Sequence, residues 1–110
     1  AQHHPYALSG GQKQRLTIGT AMASSKPIVV LDEPTSGLDW GNMCAVAQAI
    51  NLLRESERLV FVITHDIELV DLTATRVLAL AEGRIADDFP LSSQAALERT
   101  RQIMLGGGLL

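Results

Sequence analysis

Ile28-Val29-Val30-Leu31-Asp32-Glu33-Pro34 is the stretch on which the fold turns. Apolar residues run without alternation into two adjacent carboxylates, and a proline closes the run. That pattern suits a strand buried on both faces of a parallel sheet, whereas alternation would mark a strand with one wet face. Leu59-Val60-Phe61-Val62-Ile63 repeats it and leads into Thr64-His65-Asp66. Between the two lies room for a crossover helix. Asp39 is placed to cap it, and Met43, Val46, Ala47, Ile50 and Leu53 recur at helical spacing as far as Arg54. Glu55-Ser56-Glu57-Arg58 then reads as a polar return loop. In this order Asp32, Glu33 and His65 fall just past the carboxyl ends of two parallel strands, where open α/β sheets bind ligands.

Upstream, Leu8-Ser9-Gly10-Gly11-Gln12-Lys13-Gln14-Arg15 puts Ser9 in position to cap a helix over about 10–23. Ser24-Ser25-Lys26-Pro27 ends that helix, because proline cannot continue it and pushes the preceding residue toward extended geometry. Downstream, 67–73 reads as a short helix, and 76–81 with 84–89 as a hairpin around Glu82-Gly83. A last helix over 93–104 would be capped by Ser92 and stopped by Gly106-Gly107-Gly108. There is no internal repeat and no clear boundary. The expectation is one α/β domain over 1–110, divided into a first helix (1–24), a strand core with its hairpin (25–90) and a C-terminal helix and tail (91–110).

The chain has 110 residues, 46% of them hydrophobic, enough for a buried core and against intrinsic disorder. A formal net charge of -3, with both signs scattered, leaves no electrostatic footprint for nucleic acid or an anionic membrane. The single cysteine, Cys44, allows no internal disulfide and fits a reducing compartment, so the expected location is cytoplasmic. No apolar run approaches the ~20 residues that cross a bilayer, so membrane association is expected through partners. The sequence starts at Ala1 immediately before its first motif, which points to a fragment of a longer protein.

The residue types suggest phosphate chemistry. Asp32 is suited to hold a hydrated Mg2+, which keeps several waters and takes one or two carboxylates beside substrate phosphates. Glu33 would then act as base on an attacking water. Ser9, Gly10 and Gly11 offer helix N-terminal N–H groups to an anion, with glycine allowing close approach. His65 is placed to hydrogen-bond a terminal phosphate. Each has a plainer reading: an acidic turn, a capped helix, a strand-end hydrogen-bond donor. Lys13 and Arg15 read as a solvated helix face, and His3 and His4 lack metal-site spacing. No Gly-x-x-x-x-Gly-Lys-Ser/Thr phosphate loop occurs in the sequence.

Taken together, these runs resemble the nucleotide-binding subunit of ATP-binding cassette (ABC) transporters. Leu8 to Gln12 is similar to the family signature, Ile28 to Glu33 to the Walker B strand with its catalytic glutamate, Ser36-Gly37-Leu38-Asp39 to the D-loop, and His65 to the switch histidine. The resemblance spans Leu8 to about Phe89 and implies the C-terminal part of a P-loop NTPase (RecA-like) domain with the end of the ABC helical subdomain. It implies an ATPase using ATP and Mg2+ that works as a head-to-tail pair with a second ABC ATPase subunit. Ser9, Gly10, Gly11 and Gln12 would touch ATP held by the partner. Asp32 would serve the metal, through water, and Glu33 and His65 the chemistry of the subunit's own ATP. Ser36 and Asp39 would lie at the interface. The pair would drive transmembrane transporter subunits from the inner face of the cell membrane, with no nucleic acid involved.

Trp40, after the D-loop aspartate where proline is common, makes the run 35–43 look similar to energy-coupling factor (ECF) importers of vitamins and metal ions. The departure from the family pattern is the missing phosphate loop, which implies that the 110 residues alone would be inactive. Two other readings belong beside this one: a soluble ABC ATPase acting in translation or DNA repair, and a degenerate cassette that lends only its signature.

Overall fold

The computed structural model describes residues 18–24 and 26–106. They fall into two compact units, one up to Thr64 and the other from His65.

The first unit opens with the helical residues 18–23, here α1, with Ile18 fully buried. Its end is closed locally: the Ser24 N–H donates to the carbonyls of Thr20 and Ala21, and Ser24 Oγ donates to Ala21 O at 2.8 Å. These bonds satisfy carbonyls that a helix end otherwise leaves without partners. β1 (Ile28–Asp32), α2 (Trp40–Glu55) and β2 (Leu59–Ile63) follow as a β-α-β unit, with β1 and β2 parallel and Ile28 opposite Leu59, Val30 opposite Phe61, and Asp32 opposite Ile63. Pro27 O accepts from the Leu59 N–H at 2.9 Å and extends the ladder at its amino end.

Side chains alternate between the two faces of this sheet. Val29 and Leu31 are buried, as are Met43, Val46, Ala47, Ile50 and Leu53 of α2, so the apolar stripe read from the sequence is the helix's core face. The other face carries Ile28, Val30, Leu59, Phe61 and Ile63, all exposed. Burial on both faces, as the unbroken apolar runs suggested, is therefore not found among the described residues. Among the described residues α2 packs against this sheet, and the apolar face that carries Val30 and Phe61 stays exposed.

In the second unit α3 (Ile67–Thr73) is capped by Asp66, whose Oδ1 accepts from the N–H groups of Glu68 and Leu69. β3 (Arg76–Ala81) and β4 (Arg84–Pro90) form an antiparallel hairpin. Its loop, Glu82-Gly83, has φ of 53° and 75°, the paired positive values that a type I′ turn demands. The register slips after Ala79, which faces Asp87 while Leu80 faces Ile85, so Ala86 is an extra residue that bulges β4. Arg76 Nε donates to Asp88 Oδ1 at 2.6 Å across the hairpin, and that carboxylate raises the guanidinium pKa.

α4 (Gln94–Gly106) buries Leu97 and Thr100. Ser93 Oγ accepts from the Ala96 N–H at 3.1 Å, so the cap is Ser93 rather than Ser92. A cap oxygen accepts from an N–H two or three residues on, and the bond to the Ala96 N–H is made by Ser93. The helix also runs past Met104 through Gly106. Arg99 ties α4 to β4: its Nη2 reaches both Asp87 carboxylate oxygens at 2.6 Å, and its guanidinium carbon lies 4.3 Å from the centre of the Phe89 ring.

Candidate functional site

Asp32 is the last residue of β1 and lies on the exposed sheet face, an open carboxylate at the strand's carboxyl end. The ladder does not stop there. The Glu33 N–H donates to Ile63 O at 2.7 Å, pinning Glu33 against the end of β2, and its backbone turns into the left-handed region with φ 48°. For a residue with a Cβ that conformation costs about 1–2 kcal/mol, and such strain gathers at functional positions.

The connection from Glu33 to α2 is built from short turns. Ser36 N–H donates to Glu33 O at 3.2 Å and Leu38 N–H to Thr35 O at 3.1 Å, with Gly37 supplying φ 74° between them. Pro34 and Thr35 are buried and anchor the loop, while Ser36, Gly37 and Asp39 are exposed. Asp39 caps α2 as expected, its Oδ1 accepting from the Asn42 N–H at 2.8 Å. Trp40, the first helical residue, is 62% exposed.

Asp32, Glu33, Ser36 and Asp39 thus share one tightly turned connection of the first unit. His65 is exposed and stands at the first position of the second unit, two residues beyond the end of β2, with the α3 cap Asp66 next to it. The remaining candidates, Ser9, Gly10, Gly11 and Gln12, lie outside the described residues.

The donor set fits Mg2+ in one particular way. Asp32 offers hard carboxylate oxygen, and no three His, Cys, Asp or Glu side chains gather into a cage among the described residues. A magnesium ion held here would complete its shell with water and phosphate, which is its usual habit beside nucleotides.

The comparisons with known proteins bear on the same stretch. The family model described as ABC transporter matches residues 1–36, which contain both the Ser9-Gly10-Gly11 run and the Asp32-Glu33 pair. A Treponema denticola protein named as an ABC transporter ATP-binding protein is 44% identical over 87 residues, covering 79% of this chain and 18% of its own length. The energy-coupling factor transporter ATP-binding protein EcfA2 of Mycoplasma genitalium is 40% identical over 84 residues, 76% of this chain and 28% of its own. Among solved structures, the ATP-binding cassette MJ0796, a dimer in a post-hydrolysis state bound to ADP and Pi, superposes with a TM-score of 0.69 at 35% identity, over 84% of this chain and 40% of that one.

The chain belongs to the ATP-binding cassette family.

Its fold is accordingly that of the P-loop NTPases, of which the β-α-β unit and hairpin correspond to the C-terminal part. ABC ATPases hydrolyse ATP, normally with Mg2+. The chain spans between 18% and 33% of the length of the first three curated relatives that it matches. No helix among the described residues is long and apolar enough to cross a membrane.

Proposed function

We propose that these residues belong to the ATP-hydrolysing subunit of an ABC importer, of the energy-coupling factor type, that takes up a small solute such as a vitamin or a metal ion. The observation that carries the reading is the turned connection after β1. It pins Glu33 to the end of β2 in a left-handed backbone directly after an exposed Asp32, and α2 begins on the capping Asp39.

In this reading Asp32 serves the Mg2+ through water. Glu33 orients and deprotonates the attacking water, and His65 hydrogen-bonds the terminal phosphate of the same ATP. Ser9, Gly10, Gly11 and Gln12 contact the ATP held by a second cassette, and Ser36 and Asp39 meet that partner at the interface. The phosphate loop comes from outside the 110 residues. Closure around ATP and reopening after hydrolysis drive transmembrane partner subunits, with the cassette held peripherally at the cytoplasmic face. The 40% identity to EcfA2, over 76% of this chain, and the Trp40 variant of the D-loop support the energy-coupling factor type. The single domain expected over 1–110 is retained as part of this proposal.

Glu33→Gln in the complete subunit tests the central assignment. The amide keeps the shape but cannot take the proton. ATP binding by calorimetry is expected within about twofold of wild type, while steady-state phosphate release falls by about a hundredfold or more. An unchanged turnover rate removes Glu33 from the role of base.

A further inference from the structure

Two helices of the first unit end at one side chain. Arg58, half-buried at the entry to β2, donates from Nη2 to Met22 O at 3.0 Å and also to Ser24 O, the carbonyls at the C-terminal end of α1. From Nη1 it donates to Ser56 Oγ at 3.0 Å. Ser56 Oγ in turn donates to Leu53 O, in the last turn of α2, and the Ser56 N–H reaches the same carbonyl at 3.2 Å.

Each helix C-terminus carries roughly half a negative charge on carbonyls that lack intrahelical partners. Two such ends brought close repel unless a cation stands between them. Arginine does this in a way lysine cannot, because its planar fork is always charged and can hold several acceptors at once in fixed directions. The other basic residue in the last turn of α2, Arg54, points its Nη2 at Asn51 Oδ1 instead, 3.1 Å away.

We propose that Arg58 is a positioning residue that ties the C-terminal ends of α1 and α2 to each other, and so holds α2, with Asp39 at its far end, in one orientation. This rests on the function proposed above. There Asp39, which caps α2, meets the partner cassette at the interface. Leverage makes the lock matter. α2 has 16 residues, a rod about 24 Å long, so rocking by about 5° at its Arg58 end displaces the Asp39 end by about 2 Å. Misplacement of a catalytic group by about 1 Å can cost about a hundredfold in rate.

The test uses the complete subunit with Arg58→Ala and Arg58→Lys, measuring kcat and KM for ATP hydrolysis, Mg-ATP affinity by calorimetry and the melting temperature. Arg58→Ala is expected to lower kcat at least about tenfold while Mg-ATP affinity stays within about twofold. Arg58→Lys, which restores the charge but not the fork, is expected to fall between Arg58→Ala and wild type.

Wild-type kcat in both variants overturns the proposal. So does a fall in kcat and in the calorimetric stoichiometry by one common factor, which marks loss of folded protein alone. Should Arg58→Ala fail to fold, Arg58→Lys decides: reduced kcat at unchanged affinity supports the lock, and wild-type kcat overturns it. Glu33→Gln in the same assay keeps the two ideas apart. Lost hydrolysis there, beside wild-type Arg58 variants, overturns the lock alone. Full hydrolysis there overturns the catalytic reading and the lock with it.

Discussion

Three glutamates occupy the left-handed region, Glu33, Glu57 and Glu82, with φ of 48°, 64° and 53°. Their situations differ. Glu57 follows the C-cap of α2, where its N–H donates to Arg54 O at 3.2 Å, a position that usually takes glycine or asparagine. Glu82 is the first residue of a two-residue hairpin loop, where asparagine before glycine is the favoured pair. Both places are set by turn geometry, and a better residue exists for each. Glu82→Asn is therefore expected to stabilise the protein by about 0.5–1 kcal/mol, since asparagine tolerates positive φ with less strain. Denaturant titration reads this as a higher midpoint at unchanged slope, and a midpoint equal to or below wild type contradicts it. Glu33 stands apart because its strained backbone coincides with a candidate base. Relief there would remove the carboxylate that the proposed chemistry requires.

At the scale of elements, long periodic segments announce themselves and their edges do not. The stripe from Met43 to Leu53 can only be one face of a helix, and the apolar runs at 28–31 and 59–63 are too short and too β-branched for anything but strands, so β1, α2 and β2 emerge at their observed places. Two adjacent serines leave the α4 cap ambiguous by one residue, and the bulge at Ala86 depends on pairing across the hairpin, which no single strand encodes. The site divides in the same way. A carboxylate pair ending an apolar strand is visible in sequence, whereas Arg58 bonds carbonyls 36 and 34 residues upstream, and backbone acceptors have no letter. Arg99 is a similar long-range fastener, joining α4 to Asp87 and the Phe89 ring. Arg99→Ala is expected to destabilise the attachment of α4 by about 1 kcal/mol, from a largely exposed ion pair and a cation–π contact. Hydrogen exchange in α4 should quicken severalfold while exchange in α2 is unchanged. Unaltered protection of α4 would assign its docking to Leu97 and Thr100 instead.

For the molecule as a whole, the informative feature is the apolar face of the β1–β2 sheet that α2 does not cover. Ile28, Val30, Leu59, Phe61 and Ile63 lie side by side in register, each exposed, with Asp32 at the carboxyl end of the same face. Burying a large apolar side chain is worth about 1.5–3 kcal/mol, so even partial cover over five of them would contribute several kcal/mol. The unbroken apolar runs are the composition of a sheet covered on both sides, and the chain spans 40% of the MJ0796 cassette that it superposes on. The same residues thus predict opposite outcomes in two contexts. In the complete subunit, where this face is expected to pack against the rest of the cassette, Val30→Asp should cost several kcal/mol by burying an unpaired charge. In the 110-residue chain alone the exposed face should drive self-association, and Val30→Asp should suppress it. Sedimentation velocity on the short chain and denaturation of the complete subunit measure the two arms. A tolerated Val30→Asp in the complete subunit would mean that this face stays wet there, and the case for a doubly covered sheet would fail.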